Sequence, residues 1–130
     1  MNLIVTKMKW IMVIIGALTC TMFYATIAPQ AALLQNFGAS INGPVAEIVV
    51  RNWGALIGLI GVLVIYAAYV PIYRRLVLTL AIVSKSIFIS LILIHGQAFL
   101  PVAAPALVFD TIAILIFAAY LLATRENSTL

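Results

Sequence analysis

The sequence predicts an all-α integral membrane protein: four transmembrane helices in an up-down antiparallel bundle, both termini cytoplasmic. Three observations carry this. Only 8% of the 130 residues are charged and 66% are hydrophobic, against about 25% charged residues in soluble domains. Apolar runs recur at about 8–28, 47–70, 76–97 and 103–123, each near the ~20 residues that cross ~30 Å of hydrocarbon as a helix. The basic residues gather on one side of the resulting hairpin series: Lys7 and Lys9 before the first run, Arg74 and Arg75 between the second and third, Arg125 after the fourth. By the positive-inside rule that side is cytoplasmic. The net charge of +4 is therefore a topology signal rather than a nucleic-acid surface, and no nucleic-acid partner is expected. Residues 1–130 read as a single membrane domain.

In the first run, Lys7 and Lys9 with Ala-Thr-Ile-Ala at 25–28 imitate a signal peptide and its cleavage site. Pro29 directly after that site, and the length of the run, favour a retained helix instead. Gly16, Cys20, Phe23 and Ile27 form an uncharged packing face on it, and with one cysteine no intrachain disulfide is possible. The outer connection, PQAALLQNFGASINGPVAE from Pro29 to Glu47, is the longest stretch outside the spans. Pro29 can open a helix, Leu33, Leu34, Phe37 and Ile41 share one face, Gly38 stands at a C-cap position, and Asn42-Gly43-Pro44 is a turn. The segment is either a short amphipathic helix lying on the outer interface or a lid over a cavity between the spans.

Span two carries Glu47, Arg51, Gly54, Gly58, Gly61, Ile65 and Ala68 at spacings of 4, 3, 4, 3, 4 and 3, one stripe of a helix. Gly54, Gly58 and Gly61 let another backbone approach closely, so the stripe is a helix-packing face. A tight hairpin, Val70 to Arg75, leads into span three. There Thr79, Ser86, Ser90 and Gln97 form a polar stripe suited to hydrogen bonds between helices. Lys85 lies about 120° around the helix from it. An uncharged, proline-punctuated connection from Gly96 to Pro105 precedes span four, where Ala103, Ala106, Asp110, Ala113 and Phe117 share a face. Trp10 and Tyr120 near the cytoplasmic interface and Trp53 near the outer one read as anchors. Asn127-Ser128-Thr129 matches a glycosylation pattern but falls on the cytoplasmic tail, and reads as chance.

The ionisable residues inside the spans are the candidate site. An ammonium near the middle of hydrocarbon costs between roughly 3 and more than 10 kcal/mol, so Lys85 requires compensation. It stands ~15 Å from the cytoplasmic edge, and Asp110 roughly 8–10 Å below the outer edge, at 1.5 Å per residue. A lysine stem snorkelling outward brings the two to one level. Arg51 and Glu47 sit in the outer turns of span two, and His95 near the outer end of span three. Arg51, always charged, needs a partner: Glu47 at i−4, or Asp110 across helices. The expectation is a neutral set of Lys85 and Arg51 against Asp110 and Glu47. Such groups either fix helix register or mark a functional site, and both readings stay open for Lys85 and Asp110. Arg51 and Glu47 lean to anchoring, and His95 to a hydrogen-bonded interfacial role. One histidine, one cysteine and scattered acids make no metal site, and no nucleophile–base pair or phosphate loop is readable, so an enzyme is the least supported class.

The run IAPQAALLQNFG followed by VVRNWGALIGLIGVLVI resembles the DoxX-like group of small four-span bacterial membrane proteins, over about half the chain. In that group a proline-started amphipathic segment leads to Arg-x-x-Gly opening a glycine-rich second span, here Arg51-Asn52-Trp53-Gly54. The resemblance implies a four-helix protein of the bacterial inner membrane, an accessory subunit or binder of lipophiles, since some members accompany quinone-linked oxidoreductases. Lys85 and Asp110 match no motif of the group. The leading expectation is an accessory or lipophile-binding protein, its ligand lipid- or quinone-like, with a charge-compensated pocket in the outer half of the bundle. Its partners are the bilayer and either a membrane protein or a second copy of the chain. The alternative is a proton- or ion-coupled carrier using Lys85 and Asp110. Small drug exporters of similar length place a carboxylate in the first span, and this chain has none there.

Overall fold

The computed structural model describes residues 2–39 and 43–124. Ile41, Asn42, Arg125 and the 127–129 pattern lie outside them. The elements are α1 (Asn2–Cys20), α2 (Phe23–Ile27), α3 (Pro29–Phe37), α4 (Pro44–Tyr69), α5 (Arg74–His95) and α6 (Leu100–Ala123), with 3-10 turns at Pro71–Tyr73 and Gln97–Phe99. Among the described residues all regular structure is helical. Four stretches, Val5–Ile27, Pro44–Tyr69, Pro71–His95 and Gln97–Ala123, are long and apolar enough to cross a membrane.

Local chemistry sets the element boundaries. The first span is not one continuous helix. At Thr21 and Met22 the amides bond to the carbonyls of Leu18 and Thr19, three residues back instead of four. Thr19 and Thr21 also turn their hydroxyls onto the carbonyls of Ile15 and Leu18, a competition with the helical ladder that bends helices. Pro29 opens α3 and Pro44 opens α4 in the first-turn position, where a missing N–H costs nothing. Gly38, at φ 70°, closes α3 with its N–H on the Leu34 carbonyl, the cap the spacing predicts. The last connection is shorter than its prolines suggest. The helix α6 begins at Leu100, and Pro105 lies inside it.

The glycine stripe of α4 packs on the first span. A Cβ on Gly61 would lie 2.7 Å from both the Cys20 nitrogen and the Gly16 carbonyl oxygen, and one on Gly58 would lie 2.7 Å from the Phe23 ring. One on Gly54 would meet the Met22 carbonyl oxygen at 2.7 Å. Positions descend on α4 as they rise along α1 and α2, so the two spans run in opposite directions. In turn α4 packs on α5, α5 on α6, and α6 back on α1. The beginning of α5 meets the end of α6, where Arg75 Nη1 donates to the Leu121 carbonyl at 3.3 Å; that hairpin is antiparallel too.

One expected contact set is absent. The stripe of Thr79, Ser86, Ser90 and Gln97 points out of the bundle rather than across to another helix. Thr79 and Gln97 bond to carbonyls of their own chain, Arg75 at 2.7 Å and Leu93 at 2.9 Å. Ser86 and Ser90 line a shallow outward groove. The buried face of α5 carries Val77, Leu78, Ala81, Lys85 and Ile92 instead. The physical reason is the hierarchy of desolvation: a hydroxyl costs little in hydrocarbon and can bond within its own helix, whereas an ammonium cannot. Lys85 turns the helix.

Along its axis the bundle divides into a filled half and a hollow half. Towards the end that carries Lys9 and Arg74, Met8, Met12, Val64, Leu78 and Phe117 form a solid core, each at most 2% exposed. Arg74 seals that end: Nε and Nη2 donate to the Ala67 and Ala68 carbonyls at 3.1 and 2.6 Å, and Nη1 to the Tyr120 hydroxyl at 3.2 Å. These carbonyls belong to the last turn of α4, where no helical amide follows to take them.

Candidate functional site

The hollow half is built from faces that helical periodicity assembles. On α5, Ala81, Ser84, Lys85 and Phe88 fall at i, i+3, i+4 and i+7, one side of the helix. On α6, Ala106, Phe109 and Asp110 do the same, and on α4, Trp53, Ile57 and Ile60 run directly beside the glycine stripe. These three faces, the break in the first span at Thr19–Met22, and Asn36 of α3 line a cavity of about 350 Å³. Its size falls within the range of about 300–1,000 Å³ usual for small-molecule pockets.

Lys85 and Asp110 meet on the wall of this cavity. Lys85 Nζ donates to Asp110 Oδ1 at 2.8 Å, with 10% and 14% of the two side chains exposed. The ammonium also lies 4.9 Å from the centroid of the Phe109 ring, one helical step from the carboxylate, so the π-face and the anion stabilise the same charge. It is the one salt bridge among the described residues.

Arg51 pairs with neither Glu47 nor Asp110. Its Nη1 donates to the Thr26 carbonyl at 2.6 Å and the Ile27 carbonyl at 3.5 Å, while Thr26 Oγ1 donates back to the Arg51 carbonyl at 2.9 Å. Those two acceptors are the last carbonyls of α2, which the Pro29 restart deprives of helical donors. The backbone thus outcompetes both carboxylates, and the neutral set of four charges anticipated from sequence resolves into one ion pair and two separate groups. Glu47 is half-buried in the first turn of α4, where the helix N-terminus favours a negative charge. His95 is exposed at the last turn of α5. Neither lines the cavity, nor does Arg51. Among the described residues no three of His, Cys, Asp or Glu come together as metal ligands.

The segment after the first span contributes Asn36 to the cavity wall. Phe37 of α3 packs against Trp53, Phe88 and Phe99, at centroid distances of 6.1, 6.4 and 5.9 Å, tying the segment to α4, α5 and the turn before α6. Ala32 and Leu33 are buried, while Leu34, expected on the same face, is 54% exposed. The face that meets the bundle is Pro29, Ala32 and Leu33 together with the Phe37 ring.

Sequence reasoning missed Trp53, Ser84, Asn36 and Phe109 as site residues. Trp53 in particular reads as an anchor yet faces the cavity and Phe37. The signal was present in the i, i+3, i+4, i+7 neighbours of Lys85 and Asp110, which share their faces. Comparison with protein-family models, with curated proteins and with solved structures gives no match.

Proposed function

We propose that the protein is a multi-pass protein of a bacterial inner membrane, both termini cytoplasmic, that acts as an accessory or lipophile-binding subunit. It takes a lipid- or quinone-like molecule into the hollow half of the bundle. The observation that carries this reading is the cavity of about 350 Å³ with a single ion pair on an otherwise mostly apolar wall. Apolar lining supplies affinity, and a few convergent polar groups supply orientation. The resemblance of the Pro29–Gly38 segment and the Arg51-x-x-Gly54 motif to DoxX-like proteins belongs to the same reading, and adds a membrane-protein partner as an expectation.

Carrier activity through Lys85 and Asp110 is the weaker reading. Beyond the pair, Ala81 of the cavity wall belongs to the core cluster with Met12, Ile15, Leu78, Ala113 and Phe117. Among the described residues that core carries one titratable side chain, Tyr120, which accepts a hydrogen bond from Arg74 at the far end of the bundle.

Binding is tested on the Trp10→Phe protein in lipid nanodiscs, where Trp53 is the remaining indole. Titration with a short-chain ubiquinone or a diacylglycerol is expected to change Trp53 fluorescence saturably, against empty discs as the partitioning blank. A response that only follows partitioning for every lipophile refutes the reading. Proton-coupled uptake into proteoliposomes, abolished by Asp110→Asn with the fold intact, would favour the carrier instead.

A further inference from the structure

The ion pair leaves much of its hydrogen-bonding capacity unused. An ammonium has three N–H donors, and Lys85 spends one on Asp110 Oδ1 and turns towards the Phe109 ring. An ionised carboxylate has two oxygens, and the pair engages Asp110 through Oδ1. Ser84, the residue before Lys85, lies on the same wall, and its hydroxyl meets no partner among the described residues. Among the described residues no buried side-chain nitrogen or oxygen lacks a partner, so the unpartnered Ser84 hydroxyl and the second Asp110 oxygen are not sealed away, and Lys85 lines the same space. The space that Ser84, Lys85 and Asp110 share is the cavity.

The cavity therefore offers a donor from Lys85, an acceptor from Asp110 and a hydroxyl from Ser84 that does either. It offers them on a wall whose ion pair sums to zero charge. We propose that the ligand is an uncharged amphiphile whose head both donates and accepts a hydrogen bond, an alcohol or phenol on an apolar tail. The Lys85–Asp110 pair is the element that selects it. This deepens the lipophile-binding reading and rests on it.

The discrimination follows from charge balance. A hydroxyl head donates to Asp110 and accepts from Lys85 without disturbing their contact. A carboxylate head gains Lys85 but brings an uncompensated negative charge beside Asp110 in a low-dielectric space. A quaternary ammonium head does the reverse, and has no N–H to give. Either charged head carries its full desolvation cost with no net counter-charge to meet it.

Three probes of one chain length separate the outcomes: dodecanol, dodecanoate at a pH well above its own pKa, and dodecyltrimethylammonium. Each is titrated against the Trp10→Phe protein in uncharged nanodiscs, with empty discs as the blank. Dodecanol is expected to bind about tenfold or more tighter than either ion. In Asp110→Asn, which leaves the Lys85 charge alone, the preference moves to dodecanoate. Dodecanoate binding the parent as tightly as dodecanol overturns the inference while leaving a lipophile site standing. Failure of all three probes to bind saturably overturns the lipophile reading itself. The comparison on the parent protein needs no variant at the pair, so a poorly folding Asp110→Asn does not remove the test.

Discussion

Lys85 is held by a carboxylate at 2.8 Å and an aromatic face at 4.9 Å, and both partners come from the same two turns of α6. Nine-tenths of its side chain is out of contact with solvent or lipid. Coulomb attraction within such a pair roughly offsets desolvation, while removing one member strands the other. Lys85→Met and Asp110→Leu alone are each expected to lower stability by about 3–5 kcal/mol. The double variant should return to the parent's stability or exceed it by about 1–4 kcal/mol. Denaturant titration of the four proteins in mixed micelles measures the coupling. Additive losses in the double variant would mean that the two residues are not energetically paired. The arginines follow a different rule. Arg51, Arg74 and Arg75 each donate to carbonyls at the C-terminal ends of α2, α4 and α6, with guanidinium forks that can serve several acceptors at once.

At the scale of elements, the contact of α1 and α2 with α4 depends on absent side chains. Gly61→Ala would set a methyl 2.7 Å from backbone atoms of Gly16 and Cys20, and backbone cannot move aside as a flexible side chain can. The expected cost is about 1–3 kcal/mol, as for other overpacked interiors. Leu59→Ala, on the half-exposed outward side of the same helix, should change stability by about 0.5 kcal/mol or less. Thermal unfolding in one detergent compares the two, and equal effects would contradict close packing at Gly61. The break between α1 and α2 is the other element-scale feature. It brings Thr19, Thr21 and Met22 to the cavity wall, where a continuous helix would present one face only.

For the whole molecule, one half of the bundle is a filled core and the other encloses the cavity. Phe117, fully buried in the core, and Phe37, half-buried against Trp53 and Phe88 of the cavity wall, make the comparison. Phe117→Ala should cost about 3–5 kcal/mol. Phe37→Ala forfeits ring contacts worth about 0.5–1.5 kcal/mol each, and its main effect should fall on exchange. Ligand dissociation, followed by stopped-flow through Trp53, is expected to quicken by about tenfold as the hold of α3 on α4 and α5 loosens. An unchanged dissociation rate would mean that α3 does not cover the exit.

Four apolar runs, the glycine stripe at Gly54, Gly58 and Gly61 and the helix cap at Gly38 were determined by the sequence alone. Hydrophobic length, close backbone approach and left-handed φ are local or periodic properties of a chain. The depth estimate that set Lys85 level with Asp110 was also legible, because rise per residue is constant in a helix. Tertiary structure alone decided which way each helix turned about its axis. It faced Lys85 inward at the expense of the Ser86–Ser90 stripe, gave Arg51 to the carbonyls of α2 instead of to Glu47, and brought Trp53, Ser84 and Asn36 around one cavity. Those outcomes rank desolvation costs and backbone hydrogen bonds against one another across several helices, and no single helix contains that comparison.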